Sequence, residues 1–405
     1  MTVTLKDAAG SAVTGAASSL TADAVTVANA TLKSGSSWTD NNDGTYTGTF
    51  TATTAGTGLK ASLKLTDWTD KDESAAYAIT AGKPDRAQSA IAVDKTTYTS
   101  GDDMTVTVTL KDKGGNALTG AASSLTADAV TVANATLKSG SSWTDNKDGS
   151  YKATYVAGNR SLANKATLVL PDWSTGQAVS SEDYNIYGTA TLGNISANGA
   201  TFANNVNFPT TGFVGATFTL GLTSSNGSQL ADYDWSANVS WVTVTDGTII
   251  LAQEPPRGIT RKVTVTGVPK GGYGQNNQAK NIVYTFTISN WFLHNAGILI
   301  SEVEASATCA NFAAQVPTPD ELTNTLRNTV PGGKGEDPVR QVGSLWGEWG
   351  PFNDGYSWTS VIDPTAVGSP NQYYVVNLFN GWTDYPENAV LTQPFTSGVM
   401  CVQHQ

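Results

Sequence analysis

Apolar and polar residues alternate along most of this chain, and the alternation predicts strands. Thr105-Val106-Thr107-Val108-Thr109-Leu110 has the period of two expected of a half-buried strand. Val130-Thr131-Val132 alternates again, and Ser89 to Val93 and Ala166 to Leu170 read as further strands. Lys113-Gly114-Gly115-Asn116 is turn chemistry. Asp148-Gly149, flanked by Trp143 and Tyr151, signals a hairpin. The same rhythm continues at Phe218-Thr219-Leu220, Val242-Thr243-Val244, Val263 to Thr266 and Tyr284 to Ile288. Thr and Val dominate, and β-branching suits both to strands.

The pattern also repeats. Residues 17–46 and 122–151 differ only at Asn42/Lys147 and Thr45/Ser150, an offset of 105 residues. That period is too long for a solenoid and matches a complete small β-sandwich. Met1 aligns with Val106, so the first copy is expected to lack the strand that Ser89 to Val93 supplies to the second. Lys83-Pro84-Asp85 is a short linker, which predicts a semi-rigid joint. Trp38, Trp68, Trp143 and Trp173 recur at the repeat period and read as packing residues. The Gly271-Gly272-Tyr273-Gly274 stretch lacks phosphate-loop spacing and a following helix, so it reads as a turn.

The last 115 residues differ. They hold both Cys, both His and five of the eleven Trp, and Arg327, Lys334 and Arg340 face eleven acidic residues. Pro319 to Arg327 reads as a helix, with Thr318 as N-cap, Pro319 in the first turn and Asp320 and Glu321 at the positive end. Cys309 lies just before that helix. Strands are expected at Gly355 to Thr359, Tyr373 to Leu378 and Val399 to Val402. A Cys309–Cys401 bridge would staple the end of this domain to its start. In an oxidising compartment the closed loop would contribute roughly 4–5 kcal/mol.

Composition narrows the function. The 405 residues carry Lys+Arg 23 against Asp+Glu 34, a net charge of −11. Such a surface repels nucleic-acid phosphates. No apolar run reaches the ~18 residues of a membrane helix. Two His and two Cys leave little for zinc, haem or thiolate clusters, and no cofactor is expected. A hydrolase could use a carboxylate pair such as Glu348 with Asp354, but two carboxylates in a loop are weak evidence, since glycosidases need a set separation and one raised pKa. There is no GxSxG elbow, and His404 has no Ser or Cys partner, so the chain does not read as an enzyme. His294 reads as a linker residue and His404 as a solvated terminal one.

The order Cys309, Val316-Pro317-Thr318, Tyr356 to Ser360, Tyr373 to Leu378 and Val399-Met400-Cys401-Val402 resembles the C-type-lectin-like tip of the intimin and invasin adhesins. The tandem repeats are similar to the bacterial Ig-like domains of that family, and their near-identity resembles the invasin D-like members. The resemblance implies a mainly β chain with an α+β end. Its domains would be bacterial Ig-like at 1–81 (N-terminally truncated) and at 82–187, a divergent Ig-like sandwich at 188–290, and a C-type-lectin-like tip at 291–405. It further implies a monomeric, extracellular passenger, anchored through an upstream region in the outer membrane. The tip would bind a host cell-surface or secreted protein, such as an integrin-like receptor or an immunoglobulin. A carbohydrate-binding tip and a structural or self-associating stalk are the alternatives. The calcium triplets of sugar-binding lectins do not match Tyr385-Pro386-Glu387-Asn388 or Phe352-Asn353-Asp354.

Within the tip, Trp358 and Tyr374 read as core. Gly343 to Phe352 reads as a Gly-punctuated loop. Trp346, Trp349 and Phe352 are candidate partner contacts there, with Asp354 beside them. Trp382, Asp384, Tyr385 and Glu387 form a second candidate loop, whose charges would steer a basic partner.

Overall fold

The computed structural model describes residues 1–171, 173, 177–294, 302–324, 337–353, 355–362, 373–384 and 398–405, with the backbone alone at 276, 294, 302, 303 and 384. It is mainly β. The chain forms two compact units. The first comprises Met1–Thr96, Asp103–Gly158 and Ala163–Asn185. The second comprises Thr97–Asp102, Asn159–Leu162 and Ile186–Gln405.

In the first unit the two repeats fold alike. The strand Asp103–Thr109 alternates as its sequence predicts, burying Met104, Val106 and Val108. It lies between Ala90–Val93 and Ser150–Ala157, both antiparallel. A facing sheet is built from Val130–Val132, Ala166–Leu168 and Val179–Ser180. The Asp148-Gly149 hairpin joins Thr144–Asp145 to Ser150–Ala157. Its Gly149 has φ +85°, and a Cβ there would lie 2.8 Å from that of Ala117. Glycine alone satisfies both demands. Tyr151 is fully buried, and its hydroxyl donates to the Leu118 carbonyl at 2.7 Å and accepts from the Ala121 N–H at 3.0 Å. Tyr46 makes the equivalent pair of bonds with Val13 and Ala16. The recurring Trp residues pack as expected. Trp38 meets Phe50 edge-on at 5.9 Å, and Trp143 meets Tyr155 at 6.4 Å.

The joint between the repeats depends on a position at which they differ. Asp112 accepts from the Gly82 N–H at 2.8 Å, and Asn116 accepts from the Ala55 N–H at 2.9 Å while donating to the Thr53 carbonyl. In the first copy Ser11 stands at the Asn116 position, too short for both bonds. Trp173 donates its indole N–H to the Pro84 carbonyl in the linker.

The second unit contains a sandwich. One sheet runs Ala200–Phe202, Thr191–Ala197, Thr217–Thr223, Thr248–Leu251, Val242–Thr245; the other runs Tyr233–Ala237, Lys262–Pro269, Ile282–Thr287. Phe208, Phe218, Tyr284 and Phe286 fill the space between them. The core does not stop at residue 290. Asn290–His294 pairs in parallel with Thr211–Gly212 and antiparallel with Met400–His404. One apolar cluster therefore continues from Phe218 through Trp291 to Leu345, Trp349, Val376 and Val402. A second sheet of the final segment joins Tyr356–Ile362, Tyr373–Asn377 and Thr383–Asp384.

Among the described residues this segment has three helices, and each differs in extent from what the sequence predicts. Helix α1 spans Glu302–Asn311, so Cys309 belongs to a helix of its own rather than to a lead-in before Pro319. Its Ala, Ser and Thr residues give almost no apolar stripe; Ala305 and Cys309, four apart, are buried on one face. Helix α2 is Pro319–Leu322, a single turn that ends before Thr323; residues 325–327 of the expected helix lie outside the described residues. Thr318 and Glu321 form the capping box, but Thr323 turns extended and donates its hydroxyl to the Gly381 carbonyl. Helix α3, Leu345–Trp349, occupies what reads as a loop. Ser344 caps it, accepting from the Gly347 N–H at 3.2 Å.

Candidate interaction surface

The disulfide links α1 to the strand Met400–His404, with Cα atoms 5.3 Å apart. Both sulfurs are buried with Ala305, Trp358, Val375 and Val399. This fixes the beginning of the final segment to its end.

Helix α3 is where the sequence expectation needs correction. Trp346 is 8% exposed and Trp349 4%. Neither can serve as an open contact. Trp349 packs on Phe208 at 5.3 Å, Phe213 at 5.8 Å and Phe218 at 6.2 Å. Its indole N–H reaches the Thr211 hydroxyl at 2.9 Å. Trp346 lies under Gly381 and Gly350, where a Cβ would come within 2.6 Å and 2.5 Å of the indole. Phe352 is half-buried and meets Phe213 edge-on at 5.7 Å. A Cβ at Gly347 would lie 2.5 Å from the Gln341 carbonyl, so glycine lets the helix close on the loop that precedes it.

Glu348 is 0% exposed, and its carboxylate is held from several directions. Oε1 accepts from the Thr210 N–H at 2.9 Å, the Thr210 hydroxyl at 2.7 Å and the Gly343 N–H at 3.1 Å. Oε2 accepts from the Thr211 N–H at 2.8 Å and hydroxyl at 2.5 Å. Burial pushes the carboxyl above the ordinary carboxylate range, while the bonds to Thr211 and Thr210 pull the other way. Both oxygens are saturated, so Glu348 has no lone pair left for a substrate. It is a clamp.

Arg340 closes the other end of α3. Its guanidinium donates to the carbonyls of Gly347 at 3.1 Å, Glu348 at 2.8 Å and Gly350, and to those of Ala197 at 3.1 Å and Asn198 at 3.0 Å. Helix C-terminal carbonyls lack partners of their own, so a planar cation satisfies them well. Asn198 adds a bond from its amide to the Trp349 carbonyl at 2.8 Å. Sequence reasoning missed Arg340, Thr210, Thr211 and Asn198, because no motif links residues so far apart.

The exposed surface lies elsewhere in the segment. Phe379 is 63% exposed at the tip of a turn between Asn377 and Trp382. Asn377 accepts through Oδ1 from the Phe379 N–H at 3.0 Å, and its carbonyl accepts from Gly381 at 2.7 Å. Asn380 accepts from the Trp382 N–H at 3.0 Å. Gly381 has φ +78°, and a Cβ there would strike Trp346 and Pro338. The turn is therefore tightly held, with Gly381 against the buried Trp346 and Phe379 exposed. Trp382 is half-buried beside it. The exposed Val339 belongs to the same neighbourhood, since Asn324 donates to its carbonyl while Thr323 donates to that of Gly381. Asn377-Leu378-Phe379-Asn380-Gly381 is turn chemistry around a bulky ring, which is the signal that could have found Phe379. Asp354, Tyr385 and Glu387 lie outside the described residues, as does the Asp384 side chain. His404 is not simply solvated: its Nε2 is 2.5 Å from Glu321 Oε1. Among the described residues no three His, Cys, Asp or Glu side chains group to hold a metal.

Residues 193–287 match the family model described as invasin, domain 4. Over 246 residues, 58% of its length, the chain is 24% identical to the inverse autotransporter adhesin YeeJ of Escherichia coli (strain K12). The chain is thus similar to invasin-type adhesins over these stretches. The match spans 9% of YeeJ, a small part of that protein. Among solved structures, the chain is similar to invasin, described as a bacterial integrin-binding protein. The two are 23% identical, with a TM-score of 0.46 over all of this chain and 75% of that one. It is also similar to a C-terminal 282-residue fragment of intimin in complex with the intimin-binding domain of the translocated intimin receptor. There the identity is 18% and the TM-score 0.43, over 77% of this chain and 98% of that one.

Proposed function

We propose that this adhesin binds a protein of the host cell surface or of host secretions through its final segment, and that the Phe379 turn is the centre of the contact. The Ig-like repeats would carry that segment away from an outer-membrane anchor as an extracellular passenger. The observation that carries the reading is the exposure of a rigidly held aromatic ring beside a half-buried tryptophan. Aromatic anchors dominate interface energetics, and a turn fixed before binding loses little entropy on docking. Charge supports a protein partner. The segment is acidic, with three basic residues against eleven acidic ones, which favours a basic rim. Similarity to an invasin domain and to an inverse autotransporter adhesin supports such a role. Asp354, Asp384, Tyr385 and Glu387 remain proposed members of the rim.

The test is adhesion of beads carrying the full chain to cultured epithelial cells, compared with beads carrying Phe379→Ala. Circular dichroism and melting establish that the variant folds. A fall of at least tenfold supports the turn as the contact. Unchanged adhesion refutes it.

A further inference from the structure

The residues that join the two repeats all belong to the first unit. The same turn reads Asp112-Lys113-Gly114-Gly115-Asn116 in the second repeat and Asp7-Ala8-Ala9-Gly10-Ser11 in the first. Both turns close alike. Asp112 Oδ1 accepts from the Gly114 and Asn116 N–H groups at 2.9 Å each, and Asp7 Oδ1 accepts from those of Ala9 at 2.9 Å and Ser11 at 2.8 Å. Only the turn of the second repeat reaches outward. The Asn116 amide accepts from the Ala55 N–H at 2.9 Å and donates to the Thr53 carbonyl at 3.3 Å, which uses its donor and its acceptor together. It also donates to both oxygens of Asp112, at 3.1 Å and 3.0 Å, while Asp112 Oδ2 accepts from the Gly82 N–H at 2.8 Å.

The groups met in the first repeat are all main chain: the Thr53 carbonyl and the N–H groups of Ala55 and Gly82. The loop that carries two of them is itself anchored, since the Thr53 N–H and hydroxyl donate to the Asn29 carbonyl at 2.9 Å and 3.0 Å. Gly114 makes room for the contact. A Cβ there would lie 3.0 Å from the Asn116 amide nitrogen, 3.3 Å from Asp112 Oδ1 and 3.5 Å from the Thr53 carbonyl. The first repeat has Ala9 and Ser11 at these two positions, so the changes occur together. The linker, meanwhile, is docked on the second repeat. The Asp85 N–H donates to the Lys111 carbonyl at 2.7 Å, Arg86 to the carbonyls of Gln177 at 3.3 Å and Ala178 at 3.2 Å, and Trp173 to that of Pro84 at 3.1 Å. The bonds of Asn116 tie the 53–55 loop, and with it the body of the first repeat, to that fixed base.

We propose that the turn 112–116 is a lock that reads the main chain of the preceding repeat and holds the two repeats in one relative orientation, with Gly114 and Asn116 as its positioning residues. Because it reads backbone, it recognises the fold of a preceding repeat and not the side chains that repeat displays. A turn of the Asp-Ala-Ala-Gly-Ser kind closes on itself without reaching outward, and leaves a joint to the stiffness of its linker. One pair of positions therefore sets whether a joint of this kind is locked. The lock is separate from the Phe379 turn and does not depend on it.

The test uses the full chain with Ser34→Cys and Ser139→Cys, equivalent exposed positions in the two repeats, spin-labelled for pulsed electron paramagnetic resonance. The native cysteines are bonded to each other, so the introduced thiols take the label. One narrow distance between the labels is expected. Asn116→Ser should broaden it about twofold or more, and should speed amide exchange at Ala55 roughly tenfold or more, because that N–H loses its acceptor. The variant should fold, since the first repeat folds with serine at this position. Gly114→Ala should move both readings in the same direction, and no change there would remove Gly114 from the lock. A label pair within the first repeat, Ser34→Cys with Thr66→Cys, should stay equally narrow with and without Asn116→Ser. The inference is overturned if Asn116→Ser leaves the distance between repeats narrow or the Ala55 exchange unchanged. It is also overturned if the pair within the first repeat broadens as much, because the turn would then shape that repeat and not the joint. Phe379→Ala should alter none of these readings, which keeps the outcome distinct from that for the Phe379 turn.

Discussion

Trp346 and Glu348 sit two residues apart and both are inside the protein, while Phe379, in a turn rich in Asn and Gly, is outside. Their substitution should therefore separate stability from adhesion. Trp346→Ala removes a buried indole and is expected to cost about 3–5 kcal/mol in urea unfolding. Phe379→Ala should leave the same transition within about 0.5 kcal/mol, as for most surface changes. Glu348→Ala orphans the donors of Thr210, Thr211 and Gly343 and should cost about 3 kcal/mol. Glu348 also gives a pH signature. Its folded pKa is raised above the unfolded value, so its contribution is greatest below the unfolded pKa and is lost as pH rises through the folded one. The Tyr284 hydroxyl is a titratable group that interacts with its charge. The stability difference between the protein and Glu348→Gln should accordingly be largest in acid and shrink toward neutrality. An unchanging difference from acid to neutral pH would contradict the buried-clamp description.

Among elements, the strands of the repeats and the sandwich were legible in the sequence because each buries one face, and burial forces a period of two. Asp103–Thr109 and Lys262–Pro269 are extensions of the segments read from pattern alone. Of the helices only the start of α2, at Thr318 and Pro319, was legible, and the rest was hidden for three different reasons. Helix α1 is made of small residues and is fixed by a disulfide rather than by an apolar stripe. Helix α2 carries a strong start signal, but Thr323 is drawn into an extended conformation by its bond to Gly381, a tertiary demand that local propensity cannot foresee. Helix α3 contains a glycine and two tryptophans in five residues, a composition that local rules assign to a loop. Its order comes from Arg340, Asn198, Thr210 and Thr211, all remote in sequence or outside the helix. The Cys309–Cys401 link was legible, since no other Cys competes. Replacing both cysteines by Ser is expected to cost about 2–5 kcal/mol. The folded, unreduced protein should show no free thiol on labelling, and two reactive thiols would overturn the pairing.

At the scale of the whole molecule, the repeats offer the same surfaces twice, whereas the final segment is unique. We propose the division into Ig-like domains at 1–81, 82–187 and 188–290 and a lectin-like tip at 291–405, although the strand Asn290–His294 and one continuous core span the last boundary. The clamp of Glu348 and Arg340 fastens helix α3 across that boundary, so the two parts should unfold together. The central claim is that adhesion resides on the outer face of the final segment, at the Phe379 turn, and neither on buried α3 nor on the repeats. The most direct measurement compares cell adhesion by beads carrying the full chain, the double variant Phe379→Ala with Trp382→Ala, and a repeat variant, Lys113→Glu with Lys138→Glu, each checked for an unchanged melting temperature. Adhesion should fall at least tenfold in the first variant and stay within twofold in the second. Loss of adhesion in the repeat variant, with full adhesion retained by the Phe379 and Trp382 variant, would contradict the account.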